Sequence, residues 1–155
     1  MRKVVTLMAS FIVIALIATL VSAASEPKDV TQPITVKVVE RPTTDKVVDV
    51  GKSGDSTGDI LTFHNTVYDF QNKKKVGRDQ GVCIRIDHGE ASWECRWITF
   101  LPDGAITVEG PFYDDRDSTL AITGGRATYR NARGTMEIKA RHGGEQYAFI
   151  FNIIP

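Results

Sequence analysis

The amino-acid sequence predicts an all-β fold: an eight-stranded antiparallel closed barrel. Three observations carry this. Beyond residue 33 no stretch offers ten residues with apolar side chains at i, i+3, i+4 and i+7, the spacing an amphipathic helix needs. Instead, eight short runs rich in β-branched and aromatic residues are punctuated by Gly, Pro, Asp and Asn. Finally, the connections are short, so consecutive strands are antiparallel neighbours. Eight such strands close into a small barrel that removes exposed edges and leaves room for one small ligand. A two-sheet sandwich is the rival architecture.

The runs, in order, are Thr35–Arg41, Asp59–Tyr68, Val76–His88, Ala91–Leu101, Ala105–Pro111, Ser118–Thr123, Thr135–Ala140 and Gln146–Ile153. Asp103-Gly104 suits a tight turn needing positive φ, and Asp87–Glu90 and His142–Gly144 suit two more hairpins. Alternation sets the faces: Ile106 and Val108 point one way and Thr107 and Glu109 the other, as Met136, Ile138 and Ala140 oppose Thr135, Glu137 and Lys139. The last strand is apolar on both faces, with Tyr147, Phe149, Phe151 and Ile153 against Ala148, Ile150 and Ile154. Its outer face needs cover, from another subunit or from the segment preceding the barrel.

The hairpin centred on Gly89 places Cys83 and Cys95 at equal distances from that glycine, so a symmetric turn sets them opposite each other. Side chains at such a cross-strand pair are close enough for a disulfide, unless a one-residue bulge breaks the alignment. The same face carries Trp93 and Trp97, two indoles for the core or for a cavity wall.

At the N-terminus Arg2 and Lys3 precede an apolar run from Val4 to Val21, followed by Val21-Ser22-Ala23 and a polar stretch with Pro27. A basic start, an apolar middle and small residues at −3 and −1 read as a secretory signal peptide over 1–23. Residues 24–33 form a mobile lead-in and 34–155 the barrel. An uncleaved anchor is the other reading of so long an apolar run. Cleavage after Ala23 gives a secreted or periplasmic protein with no membrane attachment, in which a cysteine pair is oxidised.

With 155 residues and 19 basic against 19 acidic side chains, the chain has the size of one domain and no basic face for nucleic acid. His64, His88 and His142 lack metal-ligand spacing, so no metal is expected. There is no Gly-x-Ser-x-Gly elbow. Asp114, Asp115 and Asp117 lack the twelve-residue calcium pattern, and Gly124-Gly125 is followed by no helix that would cradle phosphate.

Four stretches resemble the allene oxide cyclase family: GDILTFHNTVYD (58–69), KKKVGRDQGVC (73–83), ITVEGPFYDDRDSTLAITGG (106–125) and ATYRNARG (127–134). The last is more similar to the related dirigent proteins. The resemblance implies an eight-stranded barrel, usually trimeric, that cyclises an unstable small hydrophobic molecule without cofactor. It also implies roles for individual residues. Asn65 holds a water against the opening epoxide and Glu40 steadies the delocalised cation. Phe63 and Cys83 line the pocket, joined on the aromatic faces by Trp93, Trp97, Phe112 and Tyr113. A buried Glu40 among aromatics would have a raised pKa and be able to donate a proton. The family's Ser-Pro pair after the first strand has Arg41-Pro42 as its nearest counterpart, and a Cys83–Cys95 disulfide would remove a free thiol from the site. Two other readings remain: a dirigent-like barrel that steers a coupling, with Arg130 or Arg133 anchoring the ligand, or a plain carrier of apolar molecules.

Overall fold

A computed structural model describes residues 31–154. The expected signal peptide and most of the expected lead-in fall outside them. Ten strands follow in order: β1 (Ile34–Arg41), β2 (Lys46–Val48), β3 (Ile60–Phe63), β4 (Thr66–Asp69), β5 (Lys75–Asp87), β6 (Ser92–Leu101), β7 (Gly104–Tyr113), β8 (Ser118–Ala127), β9 (Arg133–Arg141) and β10 (Gln146–Ile154). One 3-10 turn, His142–Gly144, separates the last two. No helix among the described residues is long and apolar enough to cross a membrane.

The predicted barrel is present and closed. β5 to β10 pair consecutively, β10 pairs with β1, β1 with β4, and β4 with β5. Two of the eight staves are broken. β3 and β4 both pair with β5, so they are halves of the single run read at 59–68, interrupted at His64-Asn65. β2, which the sequence reading did not find, continues β1 past a break at 42–45 and pairs with β3. Pro42 explains the first interruption, because it has no N–H to give a ladder.

The hairpin β5–β6 has the expected register. Cys83 faces Cys95, Arg85 faces Trp93, and the two cysteines are joined with Cα atoms 4.0 Å apart. A bulge does occur, between Arg85 and Asp87, but it lies on the turn side of the disulfide and leaves the pairing below it intact. At the β6–β7 turn, a Cβ on Gly104 would stand 2.3 Å from the Arg126 carbonyl, so only glycine fits.

The barrel is filled at one end and hollow at the other. Val67, Ile106, Val108, Leu120, Met136, Phe151 and Ile153 pack the lower half with essentially no exposure. On the outside of β10, Ala148 is buried and Ile150 half-buried. Beside it the β4–β5 turn supplies Phe70, whose ring lies 4.4 Å from the Arg141 guanidinium and 5.6 Å from the Lys37 ammonium. The exposed apolar stripe lies instead on β5, where Val82, Ile84 and Ile86 point outward.

Candidate functional site

The hollow end holds a cavity of about 330 Å³, at the small end of the range for small-molecule pockets. Phe63, Trp93, Trp97, Phe112, Tyr147 and Phe149 form its aromatic wall, with Leu61, Ile138 and the Cys83–Cys95 disulfide between them. Edge-to-face packing fixes the rings: Phe63 on Trp97 at 6.0 Å, Phe112 on Tyr147 at 5.8 Å. Gly81, opposite Trp97, lets the indole lie against the backbone; a Cβ there would meet the Trp97 Cβ at 2.3 Å and Phe63 Cζ at 2.9 Å.

The polar end grows out of the two broken staves. Where β3 stops, the Asn65 N–H donates to Asp79 Oδ1 at 3.1 Å and Asp79 N–H donates to the Asn65 carbonyl at 3.0 Å, so a side chain replaces a ladder bond. Asn65 Nδ2 donates to Glu40 Oε1 at 2.7 Å and to Asp45 Oδ1 at 2.6 Å. Its Oδ1 accepts from the Thr43 and Thr44 amides and from Thr44 Oγ1, at 3.0, 3.0 and 2.9 Å. Every hydrogen-bonding position of the Asn65 amide is used. It ties the 42–45 turn over the strand break and holds the Glu40 carboxyl.

Glu40 is 5% exposed and Asp79 fully buried. Burial first, and the neighbouring Asp79 charge second, push Glu40 well above the usual carboxylate range, against the opposing bond from Asn65. Burial likewise raises Asp79 to about 7, although the Asn65 amide favours its charged form. The two carboxyls act on each other in opposite senses: Asp79 favours the protonated form of Glu40, and Glu40 favours the ionised form of Asp79. Asp79 Oδ2 and Thr99 Oγ1, on directly paired residues, are buried with no hydrogen-bond partner. Tyr147, beside them, is pushed up by burial and by the Glu40 charge.

At the rim, Arg85 is held by Asp55 through Nε (2.9 Å) and Nη2 (3.0 Å) and by Asp114 through Nη1 (2.6 Å). Its guanidinium also lies 3.9 Å from the Trp93 ring centroid. Trp93 Nε1 donates to the other Asp114 oxygen at 2.9 Å.

The structure therefore brings Glu40, Phe63, Cys83, Trp93, Trp97 and Phe112 to one cavity, with Asn65 directly behind Glu40. Tyr113 is not among the lining residues. As the neighbour of Phe112 on an alternating strand it faces away, and its ring stacks on Arg116 at 3.8 Å. Arg130 lies in the β8–β9 turn and Arg133 opens β9, at the opposite end of the barrel from the cavity, and neither lines it. Cys83 lines the wall as half of a disulfide and carries no thiol. Asp79 was not anticipated: it reads as one charged residue in a mixed run, and its inward direction follows only from the register with Cys83 and Arg85. Tyr147 and Phe149, which share one of the two apolar faces of the last strand, line the cavity. Among the described residues, no group of three or more His, Cys, Asp or Glu side chains is arranged to hold a metal ion.

A family model described as allene oxide cyclase matches residues 22–147. Among solved structures the chain is similar to a pyocyanin demethylase, with a TM-score of 0.68 at 22% identity over 78% of this chain and 100% of that one. It is also similar to an exo-specific intermolecular Diels-Alderase, with a TM-score of 0.63 at 17% identity, covering 79% and 98% of the two chains. A pterocarpan synthase dirigent protein matches at 0.59 and 15% identity, covering 79% and 87%. At these identities the three likenesses establish the fold.

Proposed function

Because the chain belongs to the allene oxide cyclase family, we propose that it is an exported isomerase-type protein that folds a small hydrophobic molecule into one conformer and steers its cofactor-free, stereoselective cyclisation. The observation that carries this reading is a buried carboxyl, Glu40, held by Asn65 at the polar end of an aromatic cavity, where burial favours its protonated form. The aromatic walls exclude water and hold the chain in a near-attack shape, which supplies the orientational part of the rate. Glu40 gives its proton to the oxygen that gains negative charge as a carbon–oxygen bond opens, and takes a proton back as the carbonyl product forms. No atom is gained or lost, as an isomerisation requires. Asp79 behind Glu40 keeps the proton in place between turnovers. The disulfide and the N-terminal sequence support export, since such bonds persist in oxidising compartments.

The test is turnover of a panel of small cyclisable epoxides and polyenes, read by chiral chromatography with and without protein. Glu40→Gln, which keeps the shape and the acceptor but cannot supply the proton, should lower the rate on the order of 10²–10³-fold. An unchanged rate in that variant refutes the assignment. A product whose handedness depends on the protein while its rate does not identifies a dirigent-like role, and ligand retention without product identifies a carrier.

A further inference from the structure

We infer that the cavity takes a molecule that carries a flat aromatic ring and is neutral or positively charged, with a donor or cationic group toward Asp45 at the mouth and an acceptor for Trp97, and that it rejects carboxylates. This deepens the reading above by naming the ligand class, and it rests on that same cavity being the ligand site.

The charge of the lining decides the sign. Arg85 is the one cation among the lining residues, against Glu40, Asp45 and Asp114. Its fork is already shared between Asp55 and Asp114, three charge-assisted bonds of 2.6 to 3.0 Å, and its face is spent on Trp93. No cation is left for an incoming carboxylate. Such a group would shed its water in an apolar cavity, find no free cation, and lie near the Asp45 carboxylate at the mouth. An unpaired charge buried beside like charges is strongly disfavoured. A donor at that end finds Asp45 exposed at the mouth and Glu40 beneath it.

A second observation points independently to a ligand. The Trp97 indole is 4% exposed and lines the cavity, and its buried Nε1–H has no protein acceptor. Trp93, four residues earlier on the same face, has its Nε1–H satisfied by Asp114. A buried indole donor normally finds a partner. An acceptor atom on the ligand satisfies it, and the rings around it stack best on a planar system.

The test is calorimetric titration of the disulfide-intact protein with three matched probes: 1-naphthylmethylamine, 1-naphthylmethanol and 1-naphthoic acid. The amine and the alcohol should bind, and the naphthoate at least about tenfold more weakly. Trp97→Phe should weaken the alcohol by about two- to tenfold. If that variant does not fold, the three probes on the unaltered protein decide alone. Naphthoate binding as tightly as the others, or no binding by any probe at millimolar concentration, overturns the inference. Its failure is distinct from that of the cyclase reading. Binding of amine and alcohol with no turnover of any substrate leaves this inference standing, whereas turnover of a carboxylate-bearing substrate leaves only the cyclase reading.

Discussion

The substitution Asp79→Asn tests whether the buried carboxyl pair holds a proton. In the folded protein the Asp79 pKa lies at about 7, against 3.8 for the free side chain. Between those two values the folded chain binds a proton that the unfolded chain has released. Stability is therefore complete below about pH 4 and falls as pH rises toward 7. About three units at 1.36 kcal/mol each bounds the loss at roughly 4 kcal/mol. The amide of the Asp79→Asn variant keeps the acceptor for the Asn65 N–H and carries no titratable group. The variant should lose less than half as much stability as the unaltered protein between pH 5 and 8, and it should be the more stable of the two at pH 8. Urea unfolding at both pH values, with the disulfide intact, measures the difference; apart from Glu40, whose own shift the Asp79 carboxylate enlarges, the other titrating groups contribute equally to both proteins. Parallel pH curves for the two proteins, or a variant weakened most at pH 8, would show that Asp79 is charged in the fold and refute the argument that burial holds a proton on it. Glu40→Gln should flatten the same window, and the two substitutions together should add little to either alone.

Three further outcomes follow from the geometry. Reducing the disulfide, or changing both cysteines to Ser, reopens a link between residues 12 apart in sequence, costing about 3 kcal/mol and lowering Tm on the order of 10 °C by calorimetry. Asn65→Ala frees the 42–45 turn and strips Glu40 of its one stabilising bond to the charged form; unfolding should report a loss of about 3 kcal/mol, and any Glu40-dependent pH profile should move upward. Gly81→Ala pushes a methyl into Trp97 and the Arg96 carbonyl, 2.3 and 2.6 Å from its ideal position, so Tm should fall by the equivalent of about 1–3 kcal/mol with a changed near-ultraviolet dichroism.

Most of the fold was legible because its signals are local. Period-2 alternation and Gly- or Asp-rich turns located every stave, and the symmetry of the Gly89 hairpin placed Cys83 against Cys95 from spacing alone. The two interruptions were not legible as such. Pro42 marked the first only in retrospect, and His64-Asn65 keeps perfect alternation, with Phe63, Asn65 and Val67 all inward, while leaving the ladder. The same distance from local pattern hid Asp79. Its role depends on a partner 39 residues away, Glu40, brought close by the β1–β4–β5 pairing. Asn65 illustrates the opposite case: the resemblance pointed to the right residue, but its amide is fully occupied by protein atoms, so its work here is to hold Glu40 and the turn.

The closing of the ring has a kinetic meaning. The Cys83–Cys95 bond lies within one hairpin, whereas the final seam joins Ile34 to Ile153 at opposite ends of the barrel sequence. Loop-closure entropy favours the hairpin early and the seam late. Glu40 sits on one side of that seam and Tyr147 on the other, as directly paired residues. The polar end of the cavity thus comes into being only with the last strand pairing, so a chain truncated or delayed at either end would carry an intact disulfide hairpin and no binding site.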